Sequence, residues 1–259
     1  MVAVAACSLL AGTACYGRGD ADAGAAQIAP PERRLPERER VVFNVKWLGL
    51  DVGRITASIN GVKKINGRDA YELEAVAMTG GICSSIYPVN DRYVSYMDTE
   101  RLHTLRHEVY RREGRYRKDA VTDFDQDAHR AYFTNLIDGS KKTIDIPPSV
   151  QDALGTAYYF RLIPVELGKP VEIRVYNNEQ VYRLFGVADG IRTIRVPRLG
   201  ARAGFHIQPY AELDGRIVKK GRASGYFSCD PGRLPLLVSI RGPVFTEVVG
   251  YPAAEDLGR

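Results

Sequence analysis

Apolar and polar residues alternate one by one along short stretches of this chain, and a two-residue period fits a strand with one buried face rather than a helix. Phe43, Val45 and Trp47 alternate with Asn44 and Lys46; beyond a glycine-bounded turn, Ile55, Ala57 and Ile59 alternate with Arg54, Thr56, Ser58 and Asn60. The period returns at Tyr71, Leu73, Ala75 and Ala77, at Val171, Ile173 and Val175, and at Phe205, Ile207, Ala211 and Leu213. The pairs Asn60-Gly61, Asn66-Gly67, Asp138-Gly139, Asp189-Gly190 and Asp214-Gly215 read as turns between these runs, because Asn, Asp and Gly tolerate positive φ. The pattern predicts a mainly β protein with an antiparallel, strongly curved sheet, barrel-like or folded as a sandwich.

One segment departs from the period. Pro147 and Pro148 stop the preceding strand, Ser149 can cap a helix with Asp152 three residues on, and Val150, Ala153, Leu154, Ala157 and Tyr158 share one helical stripe. A single substantial helix is expected over about 149–162, covering or plugging the core. Val150, Leu154 and Tyr158 are the candidate lid or cavity-lining residues.

The first residues give an address rather than a reaction. The run from Ser8 to Ala14 is small and apolar and ends at Cys15, the pattern of a bacterial secretion signal with a lipid-acceptor cysteine. It lacks a basic start, since the first cation is Arg18, and Gly12 stands where leucine is usual. The expected organisation is a signal over 1–15, a disordered tether over 16–40 rich in Pro and charge, one β-rich domain over 41–252 and a tail over 253–259. The apolar run is too short for a spanning helix, which needs about 20 residues. Tyr16 after the cysteine, where Asp would retain a lipoprotein in the inner membrane, points to the periplasmic face of the outer membrane; a soluble periplasmic form is the alternative. Nucleic acid is disfavoured by that compartment, and the net charge of +5 is that of an ordinary soluble surface.

With Cys7 and Cys15 in the signal, Cys83 and Cys229 are left for an oxidising compartment, and they are the disulfide candidate, with two separate thiols as the alternative. Between Arg101 and Lys118 the chain collects Arg106, Arg111, Arg112, Arg115, Arg117 and Lys118 around Tyr110 and Tyr116, with Glu108 and Glu113 as the local acids. Such a basic aromatic hairpin suits an anionic ligand, or a sheet edge protected by charge.

The chemical motifs fail in turn. Asp123, Asp125 and Asp127 alternate as in a calcium loop, but Ala128 and Thr134 stand where its glycine and bidentate acid belong, so they are expected to decorate a hairpin turn. His103 and His107 lack the internal Glu of the common zinc helix and are expected to be exposed on a strand; no metal is expected. Ser224 in the stretch GRASG has the wrong spacing for a nucleophile elbow, the loop of Cys83, Ser84 and Ser85 has no base, and none of the four histidines is flanked by a convincing acid partner for a triad. No phosphate-binding glycine loop appears, and no cofactor is expected.

Four stretches in order carry a resemblance: NVKWLGLDVGR from Asn44, IYPVNDRYVSYMD from Ile86, QDALGTAYYFR from Gln151 and DPGRLPLLV from Asp230. Together they resemble the bacterial domain-of-unknown-function family 3108, over most of Val41 to Tyr251. The resemblance implies an exported protein and supplies no catalytic residue. The expectation is therefore a non-enzymatic envelope lipoprotein that binds or carries a lipid or anionic glycan. The alternative is a structural or assembly lipoprotein that docks an envelope protein partner, and an envelope hydrolase stands third.

Overall fold

The computed structural model describes residues 27–218, 222–241 and 247–253. In chain order the elements are β1 (Arg38–Trp47), β2 (Leu50–Ile65), β3 (Arg68–Thr79), α1 (Gly81–Ile86), β4 (Asn90–Asp98), β5 (Thr104–Glu113), β6 (Tyr116–Asp125), β7 (Arg130–Asn135) and β8 (Lys141–Asp145). They continue with β9 (Gln151–Asp152), α2 (Ala153–Leu162), β10 (Pro170–Asn177), β11 (Gln180–Val196), β12 (Gly200–Leu213), β13 (Arg216–Ile217), β14 (Arg222–Ser228), β15 (Pro235–Arg241) and β16 (Glu247–Pro252). The protein is mainly β, as the alternation predicts.

All the strands form one sheet in the order β8-β7-β6-β5-β4-β3-β2-β1-β16-β15-β14-β12-β11-β10-β9, with β13 attached to β12. Every pairing is antiparallel except the short parallel contact of β9 with β10, so the sheet is mixed, and β8 and β9 do not pair to close it. Several hairpins turn on two residues with positive φ, among them Asn66-Gly67 and Asp214-Gly215, as their sequences require. Asn60-Gly61 and Asp189-Gly190 instead lie inside the long strands β2 and β11, where the register shifts. They are bulges, which use the same residue types as turns because both need a residue outside the ordinary strand conformation.

Helix α2 begins at Ala153, later than expected. Ser149 sits at φ 57 in a turn, Gln151 and Asp152 form β9, and the cap is Asp152, whose carboxylate accepts from Leu154 N and Gly155 N. Leu154, Tyr158 and Leu162, four apart, pack with Ile59, Leu73, Tyr93 and Met97 of β2 to β4. Phe160, on another face, packs with Ile173 and Val175 of β10 and with Phe205 and Ile207 of β12. One helix therefore touches core residues from both halves of the sheet.

Two expectations about the termini meet different outcomes. The signal and Cys15 lie outside the described residues. The last part of the expected tether does not run free: β1 starts at Arg38, Leu35 is buried in the same core as α2, and Ala29 N donates to Cys229 O at 2.9 Å. The buried contact of one leucine anchors a stretch whose prolines and charges read as solvated chain.

Candidate functional site

The site begins with a buried polar knot that seats α2. Asp152 is fully buried, and besides its two helix amides it accepts from Thr104 Oγ1 at 2.8 Å and from Ser95 Oγ. Gln151 Nε2 donates to Leu102 O at 2.5 Å, and Gln126 Nε2 reaches both Thr104 O (2.7 Å) and Val150 O (3.0 Å). Gly155 lies so close to this knot that a Cβ would come within 2.9 Å of Asp152 Oδ2 and Thr104 Oγ1. Buried polar atoms must find partners, and here those partners on β4, β5 and the β6–β7 turn fix where β9 and α2 sit.

His107 belongs to this knot, its Nε2 3.7 Å from Asp152 Oδ1. It and His103 are buried rather than exposed, which corrects the expectation for both; burial holds each imidazole below its ordinary pKa, with Asp152 and Asp98 respectively pulling the other way. The polarity of HTLRHE does not reveal this, because Asp152 is distant from His107 in sequence and only the turn after β4 brings Asp98 back to His103. No cluster of three metal-ligating side chains occurs among the described residues.

At its other end the helix is held by Arg161, whose guanidinium pairs bidentately with Glu39 of β1 at 2.6 and 2.7 Å and donates through Nε to Gly232 O at 2.8 Å. Arg233, almost wholly buried, donates to Ile163 O just past the helix and to Ala29 O at 3.1 Å.

With both ends fixed, α2 forms one wall of a cavity of about 430 Å³. Ala153, Thr156, Ala157 and Phe160 line it from the helix, and Val171, Ile173 and Val175 of β10 from the sheet. Further lining comes from Leu184 of β11, Ile207 and Ala211 of β12, Ser224 and Phe227 of β14, and Ile240 of β15. No charged side chain is among the described lining residues. The expected lining of Val150, Leu154 and Tyr158 is corrected: Val150 packs with Phe124 and Tyr176, and the other two face the β2–β4 core. The helix carries two apolar faces, and the sequence stripe mixes them: Leu154 and Tyr158 belong to the filled one, Ala153 and Ala157 to the one that borders the cavity.

The basic hairpin is β5 and β6, and acids of the hairpin itself, joined by Glu179, meet most of its charge. Arg112 pairs with Asp119 at 2.5 and 2.8 Å, Arg111 with Glu113 at 2.6 Å, Arg106 with Glu108 at 3.2 Å and Asp123 at 3.5 Å, and Lys118 with Glu179 at 3.9 Å. Tyr110 donates to Glu108 at 3.1 Å and the Arg111 guanidinium lies 4.7 Å from the Tyr116 ring centre. Arg115 and Arg117 are exposed at the tip, Arg117 donating to Gly114 O and Tyr116 O. Behind the hairpin, Asp91 is fully buried, accepts from Arg112 N at 2.7 Å, and is pushed up to about 6 by that burial, with Glu113 adding to the rise.

Cys83 and Cys229 are free thiols, which corrects the disulfide expectation. Cys83 lies in α1 after β3 and Cys229 follows β14, and β2, β1, β16 and β15 stand between those strands in the sheet. Strands about 4.8 Å apart put such positions well outside bridging range. Asp125 caps the β6–β7 turn through Ala128 N at 2.8 Å, and Asp127 pairs with Arg68 and Arg101, as hairpin decoration.

No curated protein matches the chain. Among solved structures, the crystal structure of a β-barrel-like protein of domain of unknown function DUF1849 from Brucella abortus is similar, with a TM-score of 0.54 and 8% identity, covering 86% of this chain and 98% of that one. At that identity the likeness is one of fold. Residues 42–244 match the family model described as protein of unknown function (DUF3108), and the chain belongs to that family.

Proposed function

We propose that this protein is an envelope binding or carrier module that holds an acyl chain or similar apolar ligand in the cavity beside α2. The observation that carries the reading is the cavity itself: about 430 Å³, in the size range of small-molecule sites, and without a charged lining residue among those described. An uncharged lining favours a lipid chain over an anionic glycan, which would need cations in the cavity. In this reading the sheet is strongly curved and α2 covers its concave side. Supporting that, Asp152 at the β9 end meets Ser95 of β4 and Thr104 of β5, and Thr122 of β6 meets Tyr176 of β10 at 3.4 Å, contacts a flat sheet would forbid. Cys15 is the proposed lipid anchor, facing the periplasm from the outer membrane.

The test is titration of the full chain with saturated fatty acids against a fluorescent apolar probe. Ala157 lines the cavity yet is exposed, so Ala157→Trp obstructs it without disturbing the core. Stoichiometric binding that Ala157→Trp weakens tenfold or more is expected; binding unaffected by that change refutes the cavity as the site. Metabolic palmitate labelling of wild type and Cys15→Ala tests the anchor, and equal labelling refutes it.

Docking of an envelope protein partner is the second reading, favoured by one observation. Trp47, Leu48 and Leu50 at the β1–β2 turn and Met78, Ile82, Ile86 and Tyr87 around α1 are large apolar side chains left exposed. Adjacent strand ends bring them together, since Gly53 pairs with Thr79 and Gly80 N donates to Val52 O. Photo-cross-linking from position 82 in cells should capture one defined protein, and capture of none refutes this reading.

A further inference from the structure

Three residues with no proximity in sequence meet on adjacent strands. His206 of β12 has Nδ1 2.8 Å from Asp189 Oδ2 of β11 and Nε2 2.8 Å from Ser224 Oγ of β14. Each ring nitrogen thus has the partner that acid, base and nucleophile chemistry requires: a carboxylate holds the proton on Nδ1 and leaves Nε2 to accept from the hydroxyl.

The local structure accounts for each placement. Ala188 pairs with Ile207 and Gly190 with His206, so Asp189 is the extra residue of the β11 bulge, free of the ladder and turned toward the imidazole. Its other oxygen meets Arg192 Nη1 at 3.1 Å, which fixes the carboxylate from its far side. The His206 side chain is only 13% exposed and its ring lies against Tyr226, with centres 4.9 Å apart. Pairing of β12 with β14 runs from Gly204–Ser228 to Ile207–Gly225, so Ser224 is the first β14 residue past its end. Ser224 pairs with Ser239 and shares the face of Tyr226 and His206, whereas Gly225, Val238 and Ile240 on the other face line the cavity. The hydroxyl therefore stands with the imidazole on the face of the sheet turned away from the cavity.

We propose that Ser224 is a nucleophile activated by His206 and oriented through Asp189, and that it cleaves small carboxylic esters reaching the sheet face away from the cavity. This site is independent of the binding reading above. Ser224 Oγ adds to the ester carbonyl carbon as its proton passes to His206 Nε2. The tetrahedral intermediate collapses, the carbon–oxygen bond to the alcohol breaks, and that oxygen leaves with the proton from His206. Water then adds to the acyl-serine carbonyl, giving one proton to His206, and the carboxylic acid departs as that proton returns to Ser224 Oγ.

A short-chain fluorophosphonate, which phosphonylates activated serines with loss of fluoride and without needing the cavity, tests the triad in the full chain. Peptide mass spectrometry should find the label on Ser224, absent in Ser224→Ala. Asp189 is exposed, so Asp189→Asn leaves the fold intact and should slow labelling about 10²-fold or more, as should His206→Gln. Ser224 left unlabelled in folded wild-type protein, or labelled equally fast in Asp189→Asn, overturns the activation. The ester class is read separately from p-nitrophenyl acetate and butyrate. Hydrolysis lost in Ser224→Ala supports it, and no turnover of either ester by protein that labels at Ser224 overturns it.

Discussion

Removing one carboxylate tests how α2 is held. In Asp152→Ala the helix loses its cap, with a typical cost of about 1 kcal/mol, because Leu154 N and Gly155 N lose their acceptor. Ser95 Oγ, buried, loses the acceptor to which it donates, and a buried unsatisfied hydroxyl costs about 1–3 kcal/mol. Thr104 Oγ1 keeps Asp152 N at 2.9 Å and Gln151 Oε1 at 3.3 Å, so its loss is smaller. Relief of the desolvation of a buried carboxylate offsets part of the sum. The net expectation is a destabilisation of about 3 kcal/mol, or roughly 6–12 °C in Tm for a domain of this size. Urea unfolding of wild type, Asp152→Ala, Ser95→Ala and the double variant measures it, the double variant falling short of additivity by about 1 kcal/mol because the two share a bond. A loss below about 1 kcal/mol in Asp152→Ala, or strict additivity with Ser95→Ala, refutes the account of the knot as the seat of the helix. Fatty-acid affinity should fall along with stability, since the same helix walls the cavity.

Within the cavity, each methylene added to a fatty acid should tighten binding about fourfold until the space is full, read by probe displacement. His103 and His107 have imidazole pKa values lowered by burial, so the stability they contribute is present above about pH 6.5 and is lost as pH falls below it, while the unfolded chain takes up the protons first; His107→Gln should flatten that fall in urea midpoints. Asp91 has the opposite sign: raised to about 6, it favours the fold below about pH 4 and the advantage is lost as pH rises through 6, so Asp91→Asn should be stabilising by about 1 kcal/mol at pH 8 and neutral at pH 4. Gly53→Ala should destabilise by about 1–3 kcal/mol in thermal melts, because its Cβ would lie 2.1 Å from Met78 O on the paired strand.

How much the sequence discloses depends on the reach of the interaction. Strand alternation is local, so β1, β2, β3, β10 and β12 are legible in it, as are the turns at Asn66-Gly67 and Asp214-Gly215. The helix is legible too, but its start is not, because Ser149 and Asp152 are both good caps and only the buried partners Ser95 and Thr104 decide for Asp152. Charge is the least legible property. The run from Arg101 to Lys118 reads as a basic surface because strand pairing is not visible in it: Asp119 and Asp123 of β6 fold back onto Arg112 and Arg106, and Asp91 of β4 and Glu179 of the β10–β11 turn approach Arg111 and Lys118.

The same limit explains why the His206 site escapes a linear reading. Asp189-Gly190 satisfies the rule for a tight turn, and a turn at that point would end β11 and carry the carboxylate away from β12. The strand, 17 residues in all, instead runs on to Val196 and absorbs Asp189 as a bulge, so a pair of residues that announces a reversal becomes the device that aims an acid across the sheet. Turn and bulge share their residue types because both exploit relaxed backbone, and only pairing on either side, Ala188 with Ile207 and Gly190 with His206, separates them. The acid that the sequence flanking His206 does not show is therefore supplied by register. If the bulge is what positions Asp189, then deleting Gly190 shifts the register beyond it by one residue and should abolish labelling of Ser224 even in protein that still binds fatty acid.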